Sequence, residues 1–139
     1  MNPYPSTDIT VFSRGDSVYA ISFDSKFHKY GLYHVTEPGV MDTLRTVIKE
    51  HKMYRYDDHY YNKYVLDGDF WYYEAKFSDG AEPEPNRSSL SSSGSNAGPW
   101  NSQGLRVLPS KLRAIVQAAE FLYECDENGE EVIGQPDTD

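Results

Sequence analysis

One cysteine, Cys125, in a chain of 139 residues excludes an intrachain disulfide framework and a multi-cysteine zinc site. No apolar run approaches the roughly 20 residues of a membrane-spanning helix. The opening Met1-Asn2-Pro3-Tyr4-Pro5 has neither the basic stretch nor the apolar segment of an export signal. These absences lead to the expectation of a soluble, cytoplasmic protein without membrane contact. Hydrophobic residues are scarce, at 38%, and the mean hydropathy is −0.70, low for a chain that must bury a core. Basic residues stop at Arg113, whereas eight of the 22 carboxylates lie beyond it, so nearly all of the net charge of −9 sits at that end. Such an end opposes binding to nucleic-acid phosphates. It serves either as a solubilising segment or as a surface for a protein partner carrying basic charge.

Aromatic residues offset the shortage of aliphatic ones. They make up 14% of the chain, and each buried ring removes on the order of 150–250 Å² from water. Seven of the twelve tyrosines fall between Tyr54 and Tyr73. There, two β-prone runs, His59 to Leu66 and Phe70 to Phe77, flank Asp67-Gly68-Asp69, which predicts a β-hairpin. A three-residue loop would pair Leu66 with Phe70, Tyr64 with Tyr72, Asn62 with Glu74 and Tyr60 with Lys76. The period of two then places Tyr61, Val65, Trp71, Tyr73, Ala75 and Phe77 on one face, the better core. The other face carries Tyr60, Tyr64, Leu66, Phe70 and Tyr72, and is either covered by further packing or presented to a partner.

Before the hairpin, strands are predicted at Asp8 to Phe12, Ser17 to Phe23 and Tyr30 to Val35, with Tyr19, Ile21 and Phe23 sharing a face. Val40, Leu44, Val47, Ile48 and His51 follow helical spacing, predicting a helix over about 38–52 with Thr36 as N-cap. Residues 78–104 are dominated by Ser, Gly, Pro, Asn and Glu, and read as a long disordered loop. Leu105 to Leu108 is predicted as a short strand. Ser110 is the expected N-cap of a second helix with Leu112, Ile115, Val116, Ala119 and Leu122 on its core face. Asn128-Gly129 suits a type I′ turn, which would join Phe121–Cys125 to Glu131–Ile133 as a hairpin; the alternative is a helix running on to Tyr123. The expected fold is therefore α+β. It is a single domain over 8–133, mainly antiparallel sheet with two amphipathic helices and a long flexible loop, between a flexible lead at 1–7 and an acidic tail at 134–139.

Three functions are compatible with these residues. The first is a non-enzymatic protein-binding module, an inhibitor or immunity-type partner that blocks another macromolecule and needs no cofactor or metal. Its contact residues would be Tyr60, Tyr64, Leu66, Phe70 and Tyr72 on the hairpin, with Glu124, Asp126, Glu127, Glu130 and Glu131 at the acidic end; a homo-oligomer is also compatible. The second is a small-ligand or nucleotide-sequestering protein with 78–104 as lid, where Arg14, Arg55 and Arg106 meet phosphates and Trp100 stacks a base. The third rests on Glu74-Ala75-Lys76 in a strand, Asp57 or Asp58 opening the strand beside it, and Glu50 on the preceding helix. That set resembles the restriction-endonuclease-like nucleases. The resemblance is confined to residues 50–76 and implies a metal-dependent nuclease using Asp58, Glu74 and Lys76.

Overall fold

The computed structural model describes residues 8–24, 26–61, 70–77, 89–95, 98–99 and 102–132. The fold is α+β, with mainly antiparallel pairing and two helices, as the sequence predicts. The chain gathers into two compact units, one including residues 39–110 and the other 7–38 with 111–139.

The second of these units is built on a four-stranded antiparallel sheet in the order β1-β2-β3-β7. Its strands are β1 (Ile9–Arg14), β2 (Ser17–Asp24), β3 (Lys29–Val35) and β7 (Glu120–Cys125). The β1–β2 turn is tight because Gly15 takes φ +63, a region that side chains with a Cβ avoid. Register then sorts the residues. Phe12 pairs with Tyr19, Tyr19 with His34, Ile21 with Leu32, Phe23 with Tyr30, Leu32 with Tyr123 and Tyr30 with Cys125. Paired residues share a side of the sheet, so one face is a field of rings around Ile21, Leu32 and Cys125, which are 7%, 6% and 3% exposed. The opposite face carries Ala20 and Val35, both buried, and Tyr33, whose ring meets Phe121 edge-on at 5.5 Å. A register shift between Leu32 and Tyr33 bulges β7 at Leu122.

The unit that includes 39–110 holds α1 (Val40–Glu50), a short 3₁₀ turn at Met53–Arg55, β4 (His59–Tyr61), β5 (Phe70–Lys76) and β6 (Ser89–Ser95). Helix α1 buries Val40, Val47 and Ile48, the face expected from their spacing. Thr36 is not its N-cap. Gly39 fills that position with φ 75, its carbonyl accepting from the Thr43 N–H, so Pro38 lies ahead of the helix instead of in its first turn.

Among the described residues, the predicted pairing of Tyr60 with Lys76 is not found. Strand β6 lies between β4 and β5, antiparallel to β5 and parallel to β4. Tyr60 therefore stands beside Gly94, and Lys76 beside Ser89. Residues 62–66, which carry the other predicted pairs, lie outside the described residues. Part of the segment read as a disordered loop is thus the central strand of a sheet. Leu90 and Ser92 are each 2% exposed, and the Ser92 hydroxyl donates to the Asp57 carbonyl. Serines and Gly94 let the flanking strands close on β6, and Leu90 anchors it among Val47, Ile48, Met53, Tyr56, Tyr73 and Leu105. The Tyr73 hydroxyl donates to the Met53 carbonyl at 3.1 Å, which satisfies the one polar atom of that buried ring.

Helix α2 (Gly104–Ala118) also departs from expectation, since residues 105–108 are helical and Ser110 is internal, not a cap. Pro109 sits inside the helix and removes a backbone donor, usually at a cost of about 3 kcal/mol. The helix nevertheless begins at Gly104, with burial of Leu105 in the core favouring it; glycine suits position 104 because a Cβ there would lie 2.8 Å from the Met53 sulfur. Ile115 is buried as expected, whereas Leu122 belongs to β7 and is exposed. The hairpin alternative for the chain's end holds: Cys125 bridges Glu131, and the Val132 N–H donates to the Glu124 carbonyl. Among the described residues, no helix is long and apolar enough to cross a membrane.

If β6 is core structure, Leu90→Ala should lower the unfolding free energy by about 2–5 kcal/mol in denaturant titration. A loss near zero would mean that β6 is not packed as described.

Candidate functional site

The residues proposed from sequence as a partner surface divide into two groups. On β5, Tyr72 is 60% exposed and its hydroxyl donates to Glu74 at 3.0 Å; burial, then that bond and the Glu74 charge, raise its pKa. Tyr60 does not join it. Its ring packs against the core and its hydroxyl accepts the Asp57 N–H at 2.9 Å. Phe70 lies in β5, its side chain outside the described residues together with Tyr64 and Leu66. Tyr72 shares its outward face with Glu74, Lys76 and the small Ser91 and Ser93 instead of with a row of rings.

The acidic residues, by contrast, are brought together. Glu124 is the penultimate residue of β7, and Asp126, Glu127, Glu130 and Glu131 lie in or beside the turn that follows the strand. The turn is organised by Asp126, whose Oδ1 accepts both the Asn128 and the Glu130 N–H at 2.9 Å, while Gly129 N–H donates to its carbonyl. Asn128-Gly129 does mark the turn, but not as type I′: only Gly129 is left-handed, at φ 86, and the loop spans residues 126–130. The acidic end from 120 to 132 is consequently a structured edge of the sheet. Phe121 and Val132 are 58% and 46% exposed on it. Since Glu124 pairs with Gly31 and faces Val132 across the turn, Phe121, Glu124 and Val132 lie on the same side of the sheet. Lys29 reaches Glu124 at 3.1 Å from the neighbouring strand.

Turn residues 128 and 129 also fold over the ring face, where a cavity of about 240 Å³ opens. It is lined by Phe12 and Tyr19 from β1 and β2, Leu32 from β3, Leu122 and Tyr123 from β7, and by Gly129 with the exposed Arg14 and Asn128. The Phe12 and Tyr19 rings stack at 5.8 Å, and the Arg14 guanidinium lies 5.7 Å from the centre of the Phe12 ring. Sequence periodicity had already placed Tyr19 on this face. Phe12 joins it through the local β1–β2 register, whereas the contribution of Leu122 and Tyr123 depends on the non-local β3–β7 pairing and has no local signal. Nearby, the Asp8 carboxylate, 3.3 Å from the Tyr30 hydroxyl, raises that phenol's pKa, with burial, the hydrogen bond and Glu127 adding to it. Burial, then Asp126 and Glu124, raise the Cys125 thiol as well, which makes it a poor nucleophile.

Among the described residues, the other proposed residues form no common site within either unit. Arg55 lies against the Tyr54 ring in the 3₁₀ turn and Arg106 is exposed on α2; Arg14 belongs to the other unit, and Trp100 is outside the described residues. Asp58, Glu74 and Lys76 do not share a strand pair. β6 separates Asp58 from the other two by two strand spacings, about 9–10 Å, while Lys76 approaches Glu74 at 4.0 Å. Among the described residues, no three His, Cys, Asp or Glu side chains converge as a metal site. No family model matches this chain, and no curated protein or solved structure matches it either.

Two measurements probe this site. Gly129→Ala adds a Cβ at 3.0 Å from Ile21 Cδ1 in a left-handed conformation, so it should destabilise the protein by about 1–2 kcal/mol; an unchanged melting temperature would show that the turn does not rest on the ring face. The raised Cys125 pKa means less thiolate at pH 8 than in free cysteine. Alkylation by iodoacetamide should therefore be at least about ten-fold slower in the folded protein than in urea, and equal rates would show the thiol to be open.

Proposed function

We propose that this protein is a non-enzymatic binding module that blocks another macromolecule, in the manner of an inhibitor or immunity partner, through the β7 edge. The observation that carries this reading is that exposed Phe121 and Val132 share a side of the sheet with Glu124, while Glu120, Glu127, Glu130 and Glu131 stand exposed along the same edge strand and its turn. An apolar centre with a charged rim is the anatomy of a protein-binding patch. Its partner would present a basic surface with an apolar pocket. Long-range attraction to the carboxylates would speed encounter, and burial of the Phe121 ring would hold the complex.

The test is crosslinked affinity capture from the source cells with the wild type, Phe121→Ser/Val132→Ser, and Glu127→Gln/Glu130→Gln/Glu131→Gln, each checked for folding by circular dichroism. The expected result is a basic protein captured by the wild type and lost with the first variant. With that protein purified, the second variant should slow association several-fold, more than it speeds dissociation, and rising salt should mimic it. Capture that ignores Phe121 and Val132, or an on-rate insensitive to salt, would refute the reading.

A further inference from the structure

We propose that the ring-face cavity is a separate binding site for a small aromatic monocarboxylate. This goes beyond the docking reading and does not depend on it, since Phe121 and Val132 lie on the other side of the sheet.

Size sets the first limit. A dry cavity of about 150 Å³ holds benzene, and drug-sized ligands occupy roughly 300–1,000 Å³. At about 240 Å³ the space suits one ring with a short chain and excludes a nucleotide or an extended peptide. The lining sets the second: Phe12, Tyr19 and Tyr123 offer ring faces and edges, and Leu32 and Leu122 offer apolar contact. The site is also preformed. The 126–130 turn is pinned by the Asp126 hydrogen bonds, and Gly129 rests on Ile21, so little order has to be gained on binding.

Arg14 sets the charge. It lines the cavity, exposed and over the Phe12 ring, and among the described residues no carboxylate comes within 4.0 Å of it. That is notable in a unit rich in carboxylates, whose Lys29 is paired with Glu124. A guanidinium backed by a ring keeps its fork of donors for a planar oxyanion. Asn128, exposed in the same lining, supplies a second polar contact. A single negative charge fits better than a double one, because the attraction to the one guanidinium only doubles for a dianion, whereas the cost of taking it out of water grows with the square of its charge.

The experiment is an NMR titration of the full ¹⁵N-labelled chain with 3-phenylpropionate, its neutral counterpart 3-phenylpropanol, and phenyl phosphate. The expected result is a saturable shift of the amides of Phe12, Arg14, Tyr19, Tyr123, Asn128 and Gly129 with the carboxylate. The alcohol and the phosphate should each bind at least about five-fold more weakly. Arg14→Gln, an exposed position that leaves the fold intact, should remove the preference for the acid over the alcohol. Leu122→Trp should fill the space and weaken both ligands. No saturable shift, equal affinity for acid and alcohol, tighter binding of phenyl phosphate, or an acid preference that survives Arg14→Gln would each overturn the proposal. Phe121→Ser/Val132→Ser should leave this titration unchanged, so loss of the docking reading and loss of this one are told apart.

Discussion

The pairing of β7 with β3 is the constraint on which both candidate surfaces depend. It brings the strongly acidic end of the chain back onto a sheet begun by the first residues, at a sequence separation of about ninety positions. Without it, Ile21 and Leu32 would lose the turn that covers them, Cys125 would not be buried, and the carboxylates from Glu120 to Glu131 would form a solvated tail. Packing so many carboxylates along one edge raises their mutual repulsion, which the β3–β7 ladder and the Lys29–Glu124 pair oppose. Exposed ion pairs of that kind contribute little on their own. The stabilisation must come mainly from burial of Leu32, Cys125 and the surrounding rings.

A chain this poor in aliphatic side chains builds its cores from rings, and that choice shapes what is left on the surface. In the unit that includes 39–110, Tyr56 and Tyr73 meet edge-to-face at 6.0 Å beside Met53 and Leu90. In the other unit, Phe23 and Tyr30 lie 4.8 Å apart and Tyr19 lies 5.6 Å from His34. Rings are too large and flat to fill a small sheet face without gaps. The space between Phe12, Tyr19 and Tyr123 is a consequence of that geometry as well as a candidate site.

How much of this was legible in the sequence varied with the range of the interaction. Local signals served well: the strands predicted at 8–12, 17–23 and 30–35 appear at 9–14, 17–24 and 29–35, the helical spacing of Val40, Val47 and Ile48 gives α1, and Asn128-Gly129 marks a turn, though not of type I′. The inward side of Tyr73, Ala75 and Phe77 was also readable from alternation. What failed was pairing. Ser89–Ser95 has a serine and glycine composition that favours loops, and it becomes a strand only because Leu90 has a core to enter and Ser92 a carbonyl to bond. Its insertion separates Tyr60 from Lys76 and parts Asp58 from Glu74 and Lys76. Likewise Ser110 reads as the start of the second helix, yet burial of Leu105 carries the helix back across Pro109 to Gly104. Of the candidate sites, the acidic residues were evident from composition, whereas the ring-face cavity needed the β3–β7 register to exist at all.

The central claim is that the acidic end is sheet and not tail. Hydrogen–deuterium exchange at low ionic strength tests it most directly, because backbone amides report pairing whatever the side-chain charges do. The account predicts that β7 amides bonded to β3 exchange slowly, on the scale of those joining β2 to β3, and that the Val132 amide bonded to Glu124 is protected with them. Exchange across Glu120–Cys125 at the rate of an unstructured peptide, with β1 to β3 still protected, would contradict it.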